Sequence, residues 1–293
     1  MPKLHRSARV AAFAFTFAAL AASFPAQAKD AGKITIMVGG ATKIIYLPAK
    51  LTEQLGYFKE EGLNVEILSQ PSGVDAENEL IAGAVQGVVG FYDHTIDLQS
   101  KGKEVASVVT FGQVPGEVEL VSSKAAPTLK SFADVKGKTL GVTGLGSSTN
   151  FLTQYLASRA GIKSSEFTVL PVGADNTFIA AMRQGRIDAG MTTEPTVSLL
   201  LKSGEAQVLV DMRSLDGTTK ALGGAYPASS LYMQRAWIDS HKPEVLKITR
   251  AFVKTLKFIK THSGEEIAAK MPPDYYGKNH DLYVAALNAS KPM

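Results

Sequence analysis

Ile34-Thr-Ile-Met-Val-Gly-Gly-Ala-Thr42 and Thr139-Leu-Gly-Val-Thr-Gly-Leu-Gly-Ser-Ser-Thr149 are two versions of one pattern. Each is a short apolar run that ends in glycines, passes into hydroxyl side chains and opens an amphipathic stretch. That order reads as a strand, a tight turn and a helix N-terminus. Free backbone N–H groups and the positive end of the helix dipole make such a corner a seat for an anion or a polar head. Ala41 and Thr42 hold this position in the first copy, and Ser147, Ser148 and Thr149 in the second. One corner in each half of the chain predicts two lobes facing one ligand.

Working outward, apolar runs and helical patterns alternate on both sides of these corners. Ile34–Val38, Asn64–Leu68, Gly87–Gly90 and Val105–Thr110 read as strands separated by helices. After an interruption at Phe111–Glu119, strands at Glu117–Ser122, Thr139–Val142, Phe167–Pro171, Ala189–Met191 and Ala206–Asp211 follow with their own helices. Such alternation predicts mostly parallel sheets with helices on both faces. A second break at Gly223–Pro227 precedes a strand returning at Ala228–Tyr232 and a long helix over Pro243–Thr261. Ile248, Phe252, Leu256 and Ile259 share one face of that helix. The expected lobes are 33–112 with 228–293, and 117–223, and the two crossings between them form a hinge. Gly83–Gly90 and Gly185–Thr192 align without a gap, placing Tyr92 opposite Glu194.

The chain has 293 residues, and the first 28 are expected to be a cleaved export signal. Lys3, His5, Arg6 and Arg9 form a basic start, Val10–Phe24 is almost wholly apolar, and Ala26-Gln27-Ala28 is a small-residue cleavage site. With no cysteine, a disulfide framework and a lipid-linked cysteine are both excluded, which suits a periplasmic protein held by its cores. Residues 1–28 carry three of the 31 Lys and Arg and no acid, leaving 28 bases against 27 acids in the remainder. The full chain's charge of +4 is therefore mostly that of the leader, and gives no argument for a nucleic-acid partner.

Glu53-Gln-Leu-Gly-Tyr-Phe-Lys-Glu-Glu-Gly-Leu-Asn-Val65 resembles a segment of periplasmic solute-binding proteins of the nitrate/sulfonate/taurine type, a group that includes the Thi5-like pyrimidine binders. Gly137–Val142, Gly185–Ala189 and Glu194-Pro195 match as well, so the resemblance covers the whole chain after the leader. It implies the type II periplasmic-binding-protein fold, a monomer, and delivery of a small solute to the membrane permease of an ABC importer. Gln86 departs from the Asp expected after Gly-x-Val, and the chain stops at Lys291-Pro292-Met293 where relatives run on, as a truncated chain would. The synthases that resemble this fold rely on a cysteine-rich motif, which a chain without cysteine lacks. A binding protein is expected, not an enzyme, with no cofactor; an enzyme using the same cleft is the distant alternative.

Several side chains compete for the ligand. Ser147–Thr149 can cap a helix, contact a ligand or do both. Tyr92, Asp93 and His94 follow a strand end and read either as a capped helix start or as a stacking ring with a polar pair. Glu194 at the matching corner would repel nitrate or sulfonate but suit an amino group or a protonated ring nitrogen. It could equally pair with a donor across the cleft. Gln70 and Ser72 sit in a turn, and Tyr226 at the second crossing is a hinge or lid side chain. Trp237 reads as core, and no His pair has the spacing of a metal site. Two solute classes stay open: an anion of the sulfonate, taurine or nitrate type, and an aminopyrimidine or other amine-bearing heterocycle.

Overall fold

The computed structural model describes residues 32–291, so the expected leader and its cleavage site lie outside the described residues. The strands are β1 (Ile34–Val38), β2 (Val65–Ser69), β3 (Gly87–Phe91), β4 (Val105–Thr110) and β5 (Glu117–Ser122), then β6 (Thr139–Val142), β7 (Thr168–Pro171), β8 (Ala189–Thr193), β9 (Ala206–Asp211) and β10 (Ser229–Gln234). The helices that follow the strands of the first sheet are α1 (Leu47–Gln54), the single turn α2 (Tyr57–Glu60), α3 (Gly73–Ile81) and α4 (Asp93–Ser100). Those of the second are α5 (Ser148–Arg159), α6 (Asp175–Arg183), α7 (Thr196–Lys202) and α8 (Leu215–Leu222). After β10 come α9 (Arg235–Ser240), α10 (Lys242–Thr261), α11 (Gly264–Ala268) and α12 (His280–Ser290).

The strands form two five-stranded sheets of one design, in the orders β2-β1-β3-β10-β4 and β7-β6-β8-β5-β9. β1 runs parallel to β2 and β3, as β6 does to β7 and β8. The fourth strand of each sheet is reversed: β10 is antiparallel to β3 and β4, and β5 to β8 and β9. The reversal has a simple cause. The chain leaves each sheet at the carboxyl end of a parallel strand and enters the other sheet at the same end. The first strand after a crossing must then run away from that end. β3 and β8, the middle strands, are buried along their whole length, as strands covered on both faces must be.

The repeat seen in the sequence is physical. Gln86 accepts a hydrogen bond from the Thr35 N–H at 2.8 Å through Oε1, and Asp188 accepts from the Thr139 N–H at 2.9 Å through Oδ2. Gln86 therefore replaces the expected Asp without loss of the strand-edge bond. At the centre of β8, a Cβ on Gly190 would lie 2.8 Å from the Gly141 carbonyl oxygen and 2.9 Å from Phe178, which only glycine avoids.

Most element boundaries fall within two residues of expectation. α8 was not foreseen. Its Leu215-Asp-Gly-Thr-Thr-Lys-Ala-Leu222 has weak helix propensity and depends on Ser214, whose hydroxyl accepts from the Gly217 N–H. α10 buries Ile248, Ala251, Phe252 and Thr255 along one stripe, against the first sheet. Trp237 packs partly buried at the edge of that core, stacked on His241. His241 and His262 are half-buried against aromatic rings. Replacing Gln86 or Asp188 by leucine should each lower unfolding free energy by about 1–3 kcal/mol, because each leaves a strand N–H without its acceptor. Urea unfolding that finds one costly and the other neutral would break the equivalence.

Candidate functional site

The carboxyl ends of the parallel strands of both sheets converge, which is where open α/β sheets bind ligands. From the first sheet come the Gly39–Thr42 turn after β1, Ser72 at the start of α3, and Asp93 and His94 in the first turn of α4. From the second come Ser147 and Ser148 at the start of α5, Asp175 at the start of α6, and Glu194 after β8. Glu117 opens β5 at the first crossing and Tyr226 precedes β10 at the second.

Five hydrogen bonds join these elements. Ser148 Oγ donates to Asp93 Oδ2 at 2.7 Å, and the Tyr226 hydroxyl donates to the same oxygen at 2.9 Å. The Val74 N–H donates to Ser147 Oγ at 3.3 Å, and Thr42 Oγ1 donates to Asp175 Oδ2 at 2.5 Å. The Ile44 N–H donates to the Glu194 carbonyl at 3.0 Å.

Apart from Tyr92, whose backbone caps α4, the sequence-predicted residues divide into three groups. Thr42, Ser72, Asp93, His94, Ser147, Ser148 and Tyr226 are brought together. Ser147 is the N-cap of α5, yet its hydroxyl makes no capping bond and reaches the other sheet's Val74 instead. Asp93 is not a cap either: Tyr92 holds that position through its backbone, and Asp93 is the first helical residue. Ala41 and Gln70 line an opening of about 470 Å³ beside Asp175 and Tyr275, where the Gln70 amide donates to Glu79. Thr149 and Glu194 are turned to structural work. The Thr149 hydroxyl accepts from the Thr143 N–H at 3.0 Å and so holds its own turn. Glu194 takes the Ser198 N–H at 3.0 Å on one oxygen and Arg213 at 2.7 Å on the other, so it anchors α7 and the β9–α8 loop. Asp211 forks the same arginine.

The sequence reading missed Lys43 and Glu117. Lys43 is buried, and its ammonium donates to the Gly39 carbonyl at 2.8 Å; burial lowers its pKa, against the pull of Asp175, Glu117 and Asp75. Glu117 is 2% exposed, and one of its oxygens has no partner among the described residues. Burial first, then the Asp93 charge, pushes its carboxyl well above the usual range. Burial first, then the same two acids, raises the Tyr46 hydroxyl well above 10, and Tyr226 is raised by burial and by Asp93, so both phenols stay protonated. A signal was available: Glu117-Val-Glu119-Leu-Val puts two acids on one side of a strand that must be covered on both faces. Aromatic Phe151, Tyr155 and Tyr226 line a second cavity, of about 590 Å³, against this cluster.

Among the described residues no group of three or more His, Asp or Glu is arranged to hold a metal ion, and no helix is long and apolar enough to cross a membrane.

Two sheets joined twice, with their strand ends converging on a shared polar junction, define a two-lobed binding-protein architecture. The chain belongs to the NMT1/THI5-like family, which it matches over residues 46–266. A solved protein of Bordetella bronchiseptica RB50 is 36% identical, with a TM-score of 0.85 over 89% of this chain and 82% of that one. The periplasmic aliphatic sulphonate-binding protein SsuA of Escherichia coli is 20% identical, with a TM-score of 0.67 over 89% of this chain and 84% of its own, and shares the fold. Among curated proteins, a 4-amino-5-hydroxymethyl-2-methylpyrimidine phosphate synthase of Legionella pneumophila is 28% identical over 161 residues, 54% of this chain. The chain spans about half the length of that relative, 48% of it. The expected periplasmic-binding-protein fold is thus the observed one.

Glu119, two residues along β5 from Glu117, is fully buried and accepts from Thr153 at 3.1 Å. Burial outweighs that bond and raises its pKa to about 8. A carboxyl held protonated in the fold contributes stability that is complete below its unfolded value and is lost as pH rises toward 8. Between those limits unfolding free energy should fall by about 1.4 kcal/mol per pH unit from this group, and Glu119→Gln should flatten the slope. Glu194→Gln should cost about 1–3 kcal/mol through the lost Arg213 pairing, read as a lower melting temperature.

Proposed function

We propose that the chain is the solute-binding component of an ABC importer, exported to the periplasm by residues 1–28 with cleavage after Ala28. Residues 33–112 and 228–293 would form one lobe and 117–223 the other, closing about the two crossings on a small molecule and presenting it to a membrane permease. The fold shared with SsuA supports the class. Binding rather than turnover is supported by the site: Asp93 and Asp175 are engaged with hydroxyls of the opposite sheet, and the cysteine-rich motif of the pyrimidine synthases is absent.

Of the two solute classes, the amine-bearing heterocycle is the better fit. The observation that carries this is Asp93, a buried carboxyl at the junction with one oxygen that has no partner among the described residues. Such an atom calls for a donor, and a buried acid beside it disfavours an anion. The aromatic cavity at Phe151, Tyr155 and Tyr226 offers planar surface for a ring. The sulfonate or nitrate reading has its support in Lys43 and the hydroxyls of Ser147 and Ser148, but Lys43 is already bound to Gly39.

Thermal melting of residues 29–293 with aminopyrimidines and alkylamines, against taurine, alkanesulfonates and nitrate, tests this. A solute at about 100 times its Kd adds roughly 2.7 kcal/mol. Stabilisation by amine-bearing rings is expected, and stabilisation by sulfonates alone would reverse the choice.

A further inference from the structure

A buried acid–imidazole pair lies directly behind Asp93. His94 Nδ1 is 3.1 Å from Glu77 Oε2 and 3.3 Å from the Tyr232 hydroxyl. Glu77 is on α3, His94 on α4, and both are buried, at 5% and 1% exposure. The ring is wedged under the Ser72–Val74 turn: a Cβ on Gly73 would come within 2.6 Å of His94 Cε1, so only glycine admits it. Phe151 from α5 and Tyr232 from β10 meet the ring edge-on, at centroid distances of 6.2 and 6.3 Å.

A carboxylate can only accept. Glu77 therefore assigns the neutral imidazole's proton to Nδ1 and leaves a lone pair on Nε2. Nε2 has no hydrogen-bond partner among the described residues, and neither has Asp93 Oδ1, which stands 3.8 Å away. The other Asp93 oxygen is held by Ser148 and Tyr226. Two buried acceptors this close repel unless a donor lies between them. Ser148 and Phe151, which cover the pair, both belong to α5 of the second sheet, so parting the sheets would uncover both acceptors at once.

We propose that Asp93 Oδ1 and His94 Nε2 together seat a primary amino group of the solute, and that Glu77 is the positioning residue that keeps Nε2 an acceptor. This rests on the amine-bearing reading above and adds the atoms that recognise the amine. One nitrogen can donate to two atoms 3.8 Å apart at ordinary hydrogen-bond lengths. A proton on Nε2 would fill the same place by donating to Asp93. Protonation of His94 and capture of the amine are thus mutually exclusive. The titratable groups facing the ring are Glu77 from α3, Asp93 from α4 and Tyr232 from β10, and the last stays a neutral phenol because burial, then the Glu77 charge, raises its pKa well above 10.

Calorimetric titration of residues 29–293 with 4-amino-5-hydroxymethyl-2-methylpyrimidine, and with the same ring lacking its amino group, tests the assignment. Runs in two buffers of different ionisation enthalpy, over about pH 5 to 8, count protons released. The wild type should bind the amine more weakly as pH falls, release a proton on binding at the acid end, and bind the ring without the amino group about 10- to 100-fold more weakly. His94→Phe and Glu77→Gln should each lose about tenfold for the amine and show a flat pH profile. Variants that melt like the wild type and bind the amine with unchanged affinity and slope would remove Glu77 and His94 from recognition while leaving the amine reading intact. A wild type that binds a sulfonate but not the amine would overturn both. Should Glu77→Gln fail to melt cooperatively, the wild-type proton count decides, and its absence overturns the assignment.

Discussion

One buried carboxylate holds the two halves of this molecule in register. Asp93 sits at the first turn of α4 and accepts from Ser148 of the other sheet and from Tyr226 of the returning crossing. Three segments far apart in sequence meet on one oxygen. Removing a carboxylate from water is costly unless donors replace the water, so the fold must deliver hydroxyls there. The turns at Gly39 and Gly144, the crossings and the reversed fourth strands together deliver them. Strand direction places every parallel strand's carboxyl end at this junction, and the crossings keep the ends facing each other.

The two sheets are built alike but their corners are used differently. Gln86 and Asp188 close equivalent strand edges, and the corners after β3 and β8 align in sequence. At the first, Asp93 and His94 keep unpartnered atoms within the junction. At the second, Glu194 has both oxygens bound by Ser198 and Arg213 and serves the architecture. The asymmetry follows from local supply. Arg213, anchored by Asp211 in the loop after β9, neutralises Glu194, whereas the matching first-sheet corner is met by hydroxyls and an imidazole.

The position of the junction between the sheets was legible in the sequence to the level of the turn. Glycine followed by hydroxyls marked both corners, and hydroxyls from both, Thr42, Ser147 and Ser148, do cross between the sheets. What each side chain binds was not legible. Ser147 and Thr149 are two residues apart, and helical rotation turns one across the junction and the other back onto Thr143. Lys43 and Glu117 escaped notice because burial of a charged residue is a property of what packs over it, and the cover comes from the other sheet.

The sequence alone determined the alternation of strands and helices, the two breaks where the chain changes sheet, and the family, since these rest on local periodicity and turn chemistry. The tertiary structure decided which carboxyls are structural and which are left with unpartnered atoms, because that depends on contacts between side chains carried by different elements. It is why Glu194, attractive as a ligand group from sequence, became the partner of Arg213, and why Glu77, unremarked on its helix, came to face His94.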